Sequence, residues 1–260
     1  MTKAATLWKN ANGHLRKKDS DVLLVSFPKT GSTWVRFLLC NIIALSELSG
    51  RSVDFQFLDD TMPAMGYSDL REAWHYHSIP RCVKTHQKNY PLLFARPKKA
   101  VYIFRDPRDV MVSSFHFQQA ALNRTLTDEF SNFIRDSKYG LRPCIQHYVS
   151  WREHISHLIR YENLKKDTCA ELSDLLDVLE TDIENDVLEE AVARSNLKQV
   201  RLAQAKTGLS GEKRFNKDFV FARSGATGEW KDYFSADDQQ YYQAVCDEFA
   251  FDLYPLNAHS

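Results

Sequence analysis

The chain has 260 residues, and Lys plus Arg balance Asp plus Glu at 34 each, so net charge offers no case for a nucleic-acid partner. That length suits one well-buried domain and is short for two. No apolar run approaches the roughly 18–20 residues a bilayer crossing requires, and the opening segment Met1-Thr2-Lys3-Ala4-Ala5-Thr6 lacks a secretory h-region, so a cytoplasmic protein without a membrane partner is expected.

The first clear element is Val22-Leu23-Leu24-Val25-Ser26-Phe27, a β-rich run almost free of charge, as a buried parallel strand should be. It follows a short tail over 1–20 and leads into a helix over 33–46. Further strands are expected near 82–85, 100–104 and 157–161. Helices are expected near 107–121, 127–136, 143–155, 163–179, 184–194 and 235–249. This alternation predicts a single α/β domain with a central parallel sheet flanked by helices. Two weakly patterned stretches, 50–80 and 198–222, read as long loops, which in a compact domain are usually functional lids or disordered segments. The five cysteines, Cys40, Cys82, Cys144, Cys169 and Cys246, are widely spaced and read as reduced packing residues, neither a disulfide frame nor a metal site.

The turn from the first strand into the first helix, Pro28-Lys29-Thr30-Gly31-Ser32-Thr33-Trp34, carries the chemistry. A helix N-terminus with free N–H groups, hydroxyls from Thr30, Ser32 and Thr33, a Gly for the turn and the charge of Lys29 make a P-loop-like anion site. The nucleotide-triphosphate loop G-x-x-x-x-G-K-[ST] is a different pattern, with its Lys after a second Gly and a hydroxyl for Mg²⁺. Here the Lys precedes the only Gly of the loop.

This segment closely resembles the 5′-phosphosulfate loop of the cytosolic sulfotransferases, which use 3′-phosphoadenylyl sulfate (PAPS). Four more segments match in the same order over roughly residues 22–250. Lys84-Thr85-His86 is similar to the K-T-H element, Arg105 with Ser113 to the 3′-phosphate element, and Tyr161-Glu162-Asn163-Leu164 to the segment whose Tyr approaches adenine. Arg223-Ser224-Gly225-Ala226-Thr227-Gly228-Glu229-Trp230-Lys231 resembles the closing R-K-G-x-x-G-D-W-K signature. The resemblance implies one sulfotransferase domain over 1–260, with adenosine 3′,5′-bisphosphate (PAP) as product and no metal. It makes His86 the general base, Lys29 the cation at the bridging oxygen, and Lys84, on the same strand face as His86, a sulfonate contact. Lys29, Thr30, Gly31, Ser32 and Thr33 would take the phosphosulfate. Arg105, Ser113, Arg223, Ser224 and Gly225 would take the 3′-phosphate, and Trp34, Tyr161, Ser195 and Leu197 the adenine.

From residue type alone, Lys29 reads equally as a phosphate anchor, Arg105 as an ion pair with Asp106 or Asp109, and Trp34 and Tyr161 as core. The chain also departs from the family. Ser224 replaces a Lys, Leu197 replaces an aromatic, and Lys231 to Gln240 is a degenerate form of the dimer motif, leaving monomer and homodimer both open. The small-molecule acceptor is expected to meet Phe55 to Tyr67, Gln87 to Pro91, Phe115 to Gln119, Tyr139 to Tyr148 and part of 198–222. These stretches offer Phe55, Phe57, Tyr67, Phe117, Tyr139 and Tyr148 beside Asp59, Asp60, His116, Gln118, Gln119 and His147. A carboxylate facing the pocket would favour a polar or cationic acceptor, such as a saxitoxin-like guanidinium alkaloid of microbial secondary metabolism. Two alternatives are an ATP-dependent nucleotide-kinase-like phosphotransferase and a non-catalytic PAP-binding protein.

Overall fold

In the computed structural model, residues 18, 20–66, 68, 70, 73–89, 99–121, 129–208, 215–216 and 219–255 are described. Tyr67, the 90–91 end of one acceptor stretch, residues 127–128 of an expected helix, parts of 198–222 and nearly all of the 1–20 tail lie outside them.

Strand β1 (Val22–Ser26) is buried along its whole length, so both of its faces meet apolar layers. Alternation sends Val22 and Leu24 into one core cluster and Leu23 and Val25 into the other. β2 (Cys82–Thr85), β3 (Lys99–Phe104) and β4 (His157–Arg160) complete the described sheet, parallel throughout and ordered β2-β1-β3-β4. The strand order reverses at β1, and the carboxyl end of such a switch point is where open α/β sheets bind ligands.

One face of the sheet is covered by α1 (Ser32–Glu47), α2 (Phe55–Thr61), α7 (Thr168–Val178), α8 (Asn185–Arg194) and α9 (Leu197–Thr207). The other is covered by α3 (Pro107–Gln119), α4 (Phe130–Ile134), α5 (Leu141–Trp151) and α10 (Ala236–Glu248). α6 (Tyr161–Lys166) follows β4 directly. The start of α3 combines an Asp106 cap on the Arg108 N–H with Pro107 in the first turn.

The expected architecture is therefore present, with local corrections. The expected 163–179 helix is two helices, because Asp167 leaves helical geometry and caps the Ala170 N–H. The weak 50–80 stretch contains α2, begun by Asp54 accepting from the Phe57 N–H. The weak 198–222 stretch opens with α9, begun by Asn196 accepting from the Gln199 N–H. In α9 only Val200, Ala203 and Gln204 are buried while Leu197 and Leu202 are exposed, so its periodicity is faint. The degenerate dimer stretch becomes the start of α10, with a reciprocal Ser235 and Asp238 capping box. All five cysteines are free thiols.

Candidate active site

Strand register lines up the chemistry. β1 pairs with β2 through Val25 and Thr85, so the next residues outward, Ser26 and His86, are neighbours. The His86 Nδ1 lies 2.6 Å from the Ser26 carbonyl oxygen and 3.1 Å from Ser26 Oγ. A carbonyl only accepts, so Nδ1 carries the hydrogen and Nε2 keeps its lone pair. Across the sheet, β3 pairs with β4 through Phe104 and Arg160, so Arg105 and Tyr161 emerge side by side. The Arg105 guanidinium lies over the Tyr161 ring, 4.7 Å from its centroid.

The loop after β1 lies between these pairs. Lys29 adopts φ 74 and Gly31 φ 102, a left-handed pair that turns the strand into α1. A non-glycine residue in this region is strained by about 1–2 kcal/mol, and such strain gathers at ligand sites. Gly31 is required for a second reason. A Cβ there would fall 2.6 Å from Tyr161 Cδ2. No side chain caps α1 and no acidic residue occupies its first turn, so its positive end is left for an anion. Ser32 and Thr33 begin that turn, whereas the buried Thr30 hydroxyl donates to the Phe27 carbonyl.

The cations converge. Burial holds the Lys29 ammonium down to about 7, aided by the charges of Arg105, Lys84 and Arg223. Its Nζ lies between two aromatic rings, 4.4 Å from the Phe117 centroid and 4.3 Å from that of Phe221. Lys84 is held to about 8, by burial and then by Arg36. Burial and the Lys84 charge push His86 well below its ordinary 6.5. The ring retains exposed surface, so water screens part of that effect, but the sign leaves a neutral imidazole at pH 7.

The 3′-phosphate candidates form a second group. Arg105 donates to the Ala226 carbonyl at 2.7 Å, and its distance to Asp109 is 4.0 Å. Asp106 pairs instead with Arg108 at 2.7 Å. Asp109, absent from the expected set, accepts from the Gly228 and Trp230 N–H groups and so ties the C-terminal loop to α3. Ser113 is one helical turn beyond Asp109 on the same face of α3. Arg223 is paired with Glu229, its Nη2 lying 2.6 Å from both carboxylate oxygens, and Ser224 Oγ donates to the same carboxylate. Gly225 presents its carbonyl to the Tyr161 hydroxyl and to Lys165 Nζ.

Trp34 meets Tyr161 edge to face at 5.7 Å, and Leu197 borders Gly225, giving an apolar slot beside the loop. Ser195 is not brought into it. That side chain has no exposed surface, and its hydroxyl donates to the Ala191 carbonyl while accepting from Asn41. Buried Trp34 Nε1 and Arg105 Nε have no hydrogen-bond partner, so the region retains donors for a ligand.

On the acceptor side, Phe117 joins Phe215 and Phe219, while Phe55 meets Phe37 and Phe221. Phe57 is buried under Arg51. Asp59 pairs with Arg36 at 3.0 Å but keeps 48% of its side-chain surface. Arg36 also donates to the Leu58 and Met62 carbonyls, tying α1 to the end of α2. Asp59 and Asp60 border a 340 Å³ cavity with Trp74, His75 and Tyr76. His116 bonds the Tyr233 hydroxyl, and Gln118 and Gln119 lie near the end of α3. His147, Tyr148 and Tyr139 depart from expectation. His147 is buried against the Tyr102 hydroxyl, and both tyrosines, Tyr148 from α5 and Tyr139 from the turn before it, pack on the second core cluster.

Sequence signals for the residues not foreseen were thin. Asp109 and Glu229 both lay inside matched segments, but their contacts to the Gly228 and Trp230 N–H groups and to Arg223, like that of Phe221 to Lys29, are brought about only in the folded chain.

Residues 19–253 match the family described as the sulfotransferase domain. An amine sulfotransferase from Oryctolagus cuniculus is 26% identical over 245 residues, covering 89% of this chain and 81% of that protein. Cytosolic sulfotransferase 7 from Arabidopsis thaliana is 26% identical over 261 residues, covering 89% and 79%. A mouse sulfotransferase crystallised with PAP superposes with a TM-score of 0.69 at 20% identity, covering 94% of this chain and 89% of that one. A retinol dehydratase in complex with retinol and PAP gives 0.73 at 18% identity, covering 96% and 88%. Among the described residues, no helix is long and apolar enough to cross a membrane, and no cluster of His, Cys, Asp or Glu could hold a metal ion.

Proposed function

The chain belongs to the sulfotransferase domain family, and we propose that it moves the sulfonate of PAPS to a hydroxyl or amine of a small molecule, with His86 as general base. The observation that carries this reading is the fixed tautomer of His86. Ser26 holds Nδ1–H and leaves a neutral Nε2 lone pair on a side chain with exposed surface.

The residues fit the donor. The uncapped α1 N-terminus, Ser32, Thr33 and Lys29 suit the 5′-phosphosulfate. Arg105, Ser113, Arg223 and the turn at Ser224 and Gly225 suit the 3′-phosphate, and Trp34, Tyr161 and Leu197 an adenine ring. Ser195 acts indirectly by fixing α8 to α1 through Asn41. In the transfer, Nε2 takes the acceptor proton as the acceptor atom bonds to sulfur and the bond from sulfur to the bridging oxygen breaks. Lys29 stabilises charge on that oxygen, Lys84 holds the sulfonate, and PAP leaves.

For the acceptor, the half-exposed Asp59 carboxylate supports a polar or cationic molecule, the saxitoxin-like guanidinium class among them, in a microbial secondary-metabolic setting. A second reading, an aromatic or apolar hydroxyl compound, is favoured by the Phe117 and Phe221 rings on Lys29, with Phe215 and Phe219 packed on Phe117. We place the reaction in the cytoplasm. The test is transfer of labelled sulfonate from PAPS to a panel of phenols, alcohols, amines and guanidinium compounds. Transfer by the wild type and its near-complete loss in His86→Ala are expected. Undiminished transfer by His86→Ala would overturn the assignment of the base, and turnover of simple phenols alone would overturn the cationic acceptor.

A further inference from the structure

Helix α9 runs beside the segment 219–225, and one stripe of its side chains is bonded to that segment's backbone. Gln204, buried, donates from Nε2 to the Phe219 carbonyl and accepts at Oε1 from the Phe221 N–H, both at 2.9 Å. One turn earlier, Arg201 donates from Nε to the Ala222 carbonyl at 2.9 Å and from Nη2 to the Arg223 carbonyl. One turn earlier again, Leu197 lies against Gly225. Positions 197, 201 and 204 share a helical face, so the contacts follow the segment in register.

The bonded segment carries two groups of the site. Phe221 covers Lys29, and Arg223 is the candidate partner of the donor's 3′-phosphate. Beyond it, Gly225 and Ala226 are held from the sheet side by Tyr161, Lys165 and Arg105. Residues 219–223 are held from the α9 side, and a side-chain amide that satisfies a backbone donor and acceptor at once works as a neighbouring strand would.

We propose that Arg201 and Gln204 are positioning residues that fix Arg223 for recognition of the donor's 3′-phosphate. Neither contacts the donor in this account, which rests on the reading of Arg223 given above. Arg201 is exposed and its replacement leaves the core intact, so it is the primary probe. Its loss frees the backbone that carries Arg223, while the phosphosulfate loop and the adenine slot stay in place.

The experiment is calorimetric titration of wild type, Arg201→Ala, Arg201→Lys and Gln204→Ala with PAP and with ADP, which lacks the 3′-phosphate. Arg201→Ala and Gln204→Ala should each weaken PAP about tenfold and ADP less than twofold, with Arg201→Lys in between. A structural defect without a positioning role would weaken both nucleotides alike, and that result, or an unchanged PAP affinity in Arg201→Ala, would overturn the inference. A wild type that does not distinguish PAP from ADP would overturn the donor reading itself and this inference with it.

Discussion

His86 and Ser26 are joined by a bond from an imidazole N–H to a main-chain carbonyl, at 2.6 Å, across two paired strands. The backbone therefore sets the tautomer, which no substitution of the Ser26 side chain removes. His86→Ala should lower turnover by about 10²–10⁴-fold, the range for loss of a positioned base, and leave the PAP dissociation constant within twofold. Single-turnover kinetics and calorimetry check the two halves, and a parallel loss of PAP affinity would assign His86 to the scaffold.

Lys29 predicts proton uptake on donor binding. Burial and neighbouring cations hold it to about 7, so much of it is neutral at pH 8, and an arriving phosphate dianion favours the charged form. At pH 8, calorimetry with PAP in buffers of different ionisation enthalpy should show net uptake, reduced in Lys29→Met. Zero uptake in the wild type would contradict this placement of Lys29.

The lowered histidines predict an acid-labile fold. His147 is held down to about 4 by burial, and His86 is also lowered. In the unfolded chain both titrate near 6.5. Between those values the unfolded state binds more protons, so stability falls as pH falls from 6.5 toward 4. The His147 shift alone corresponds to roughly 3 kcal/mol. Urea midpoints across that range should drop, and less so in His147→Phe, whereas a flat profile would contradict it.

Gly31→Ala places a Cβ 2.6 Å from Tyr161 in a backbone with φ 102. A destabilisation of about 1–3 kcal/mol is expected, with weakened PAP binding because the loop and Tyr161 move together. Urea denaturation showing less than about 0.5 kcal/mol would mean the loop relaxes freely.

Much of this was legible locally. The change from strand to helix period around Lys29 and Gly31 marks the candidate anion loop, and charge-free β1 reports burial on both faces. Other parts depend on distant contacts. The bond between Arg223 and Glu229 and the tie from Asp109 to Gly228 and Trp230 arise when the last quarter of the chain folds back on α3. Ser195 shows the reverse case. A hydroxyl expected at the adenine is enclosed by Asn41, a partner 154 positions away that no local pattern announces. α9 was hidden because its contacts to 219–223 are polar and leave a faint apolar stripe.

The Arg223 pair gives one further prediction. Glu229 holds the guanidinium proposed to meet the 3′-phosphate, so Glu229→Gln should tighten PAP by up to about fivefold, in keeping with about 0.2–1 kcal/mol for a partly exposed pair. Weaker PAP binding in that variant would show that Glu229 orients Arg223 and does not compete with the phosphate.

The site proposed here should select a 3′-phosphorylated adenine nucleotide over a metal-bound triphosphate. It is tested most directly by thermal unfolding with PAP, ADP and ATP plus Mg²⁺ in parallel. A ligand at 100 times its dissociation constant adds about 2.7 kcal/mol to stability. For a chain of this size that raises the midpoint by roughly 5–10 °C. That rise is expected with PAP and a much smaller one with ADP or ATP plus Mg²⁺, and a larger rise with ATP plus Mg²⁺ than with PAP would rule out a site selective for the 3′-phosphate.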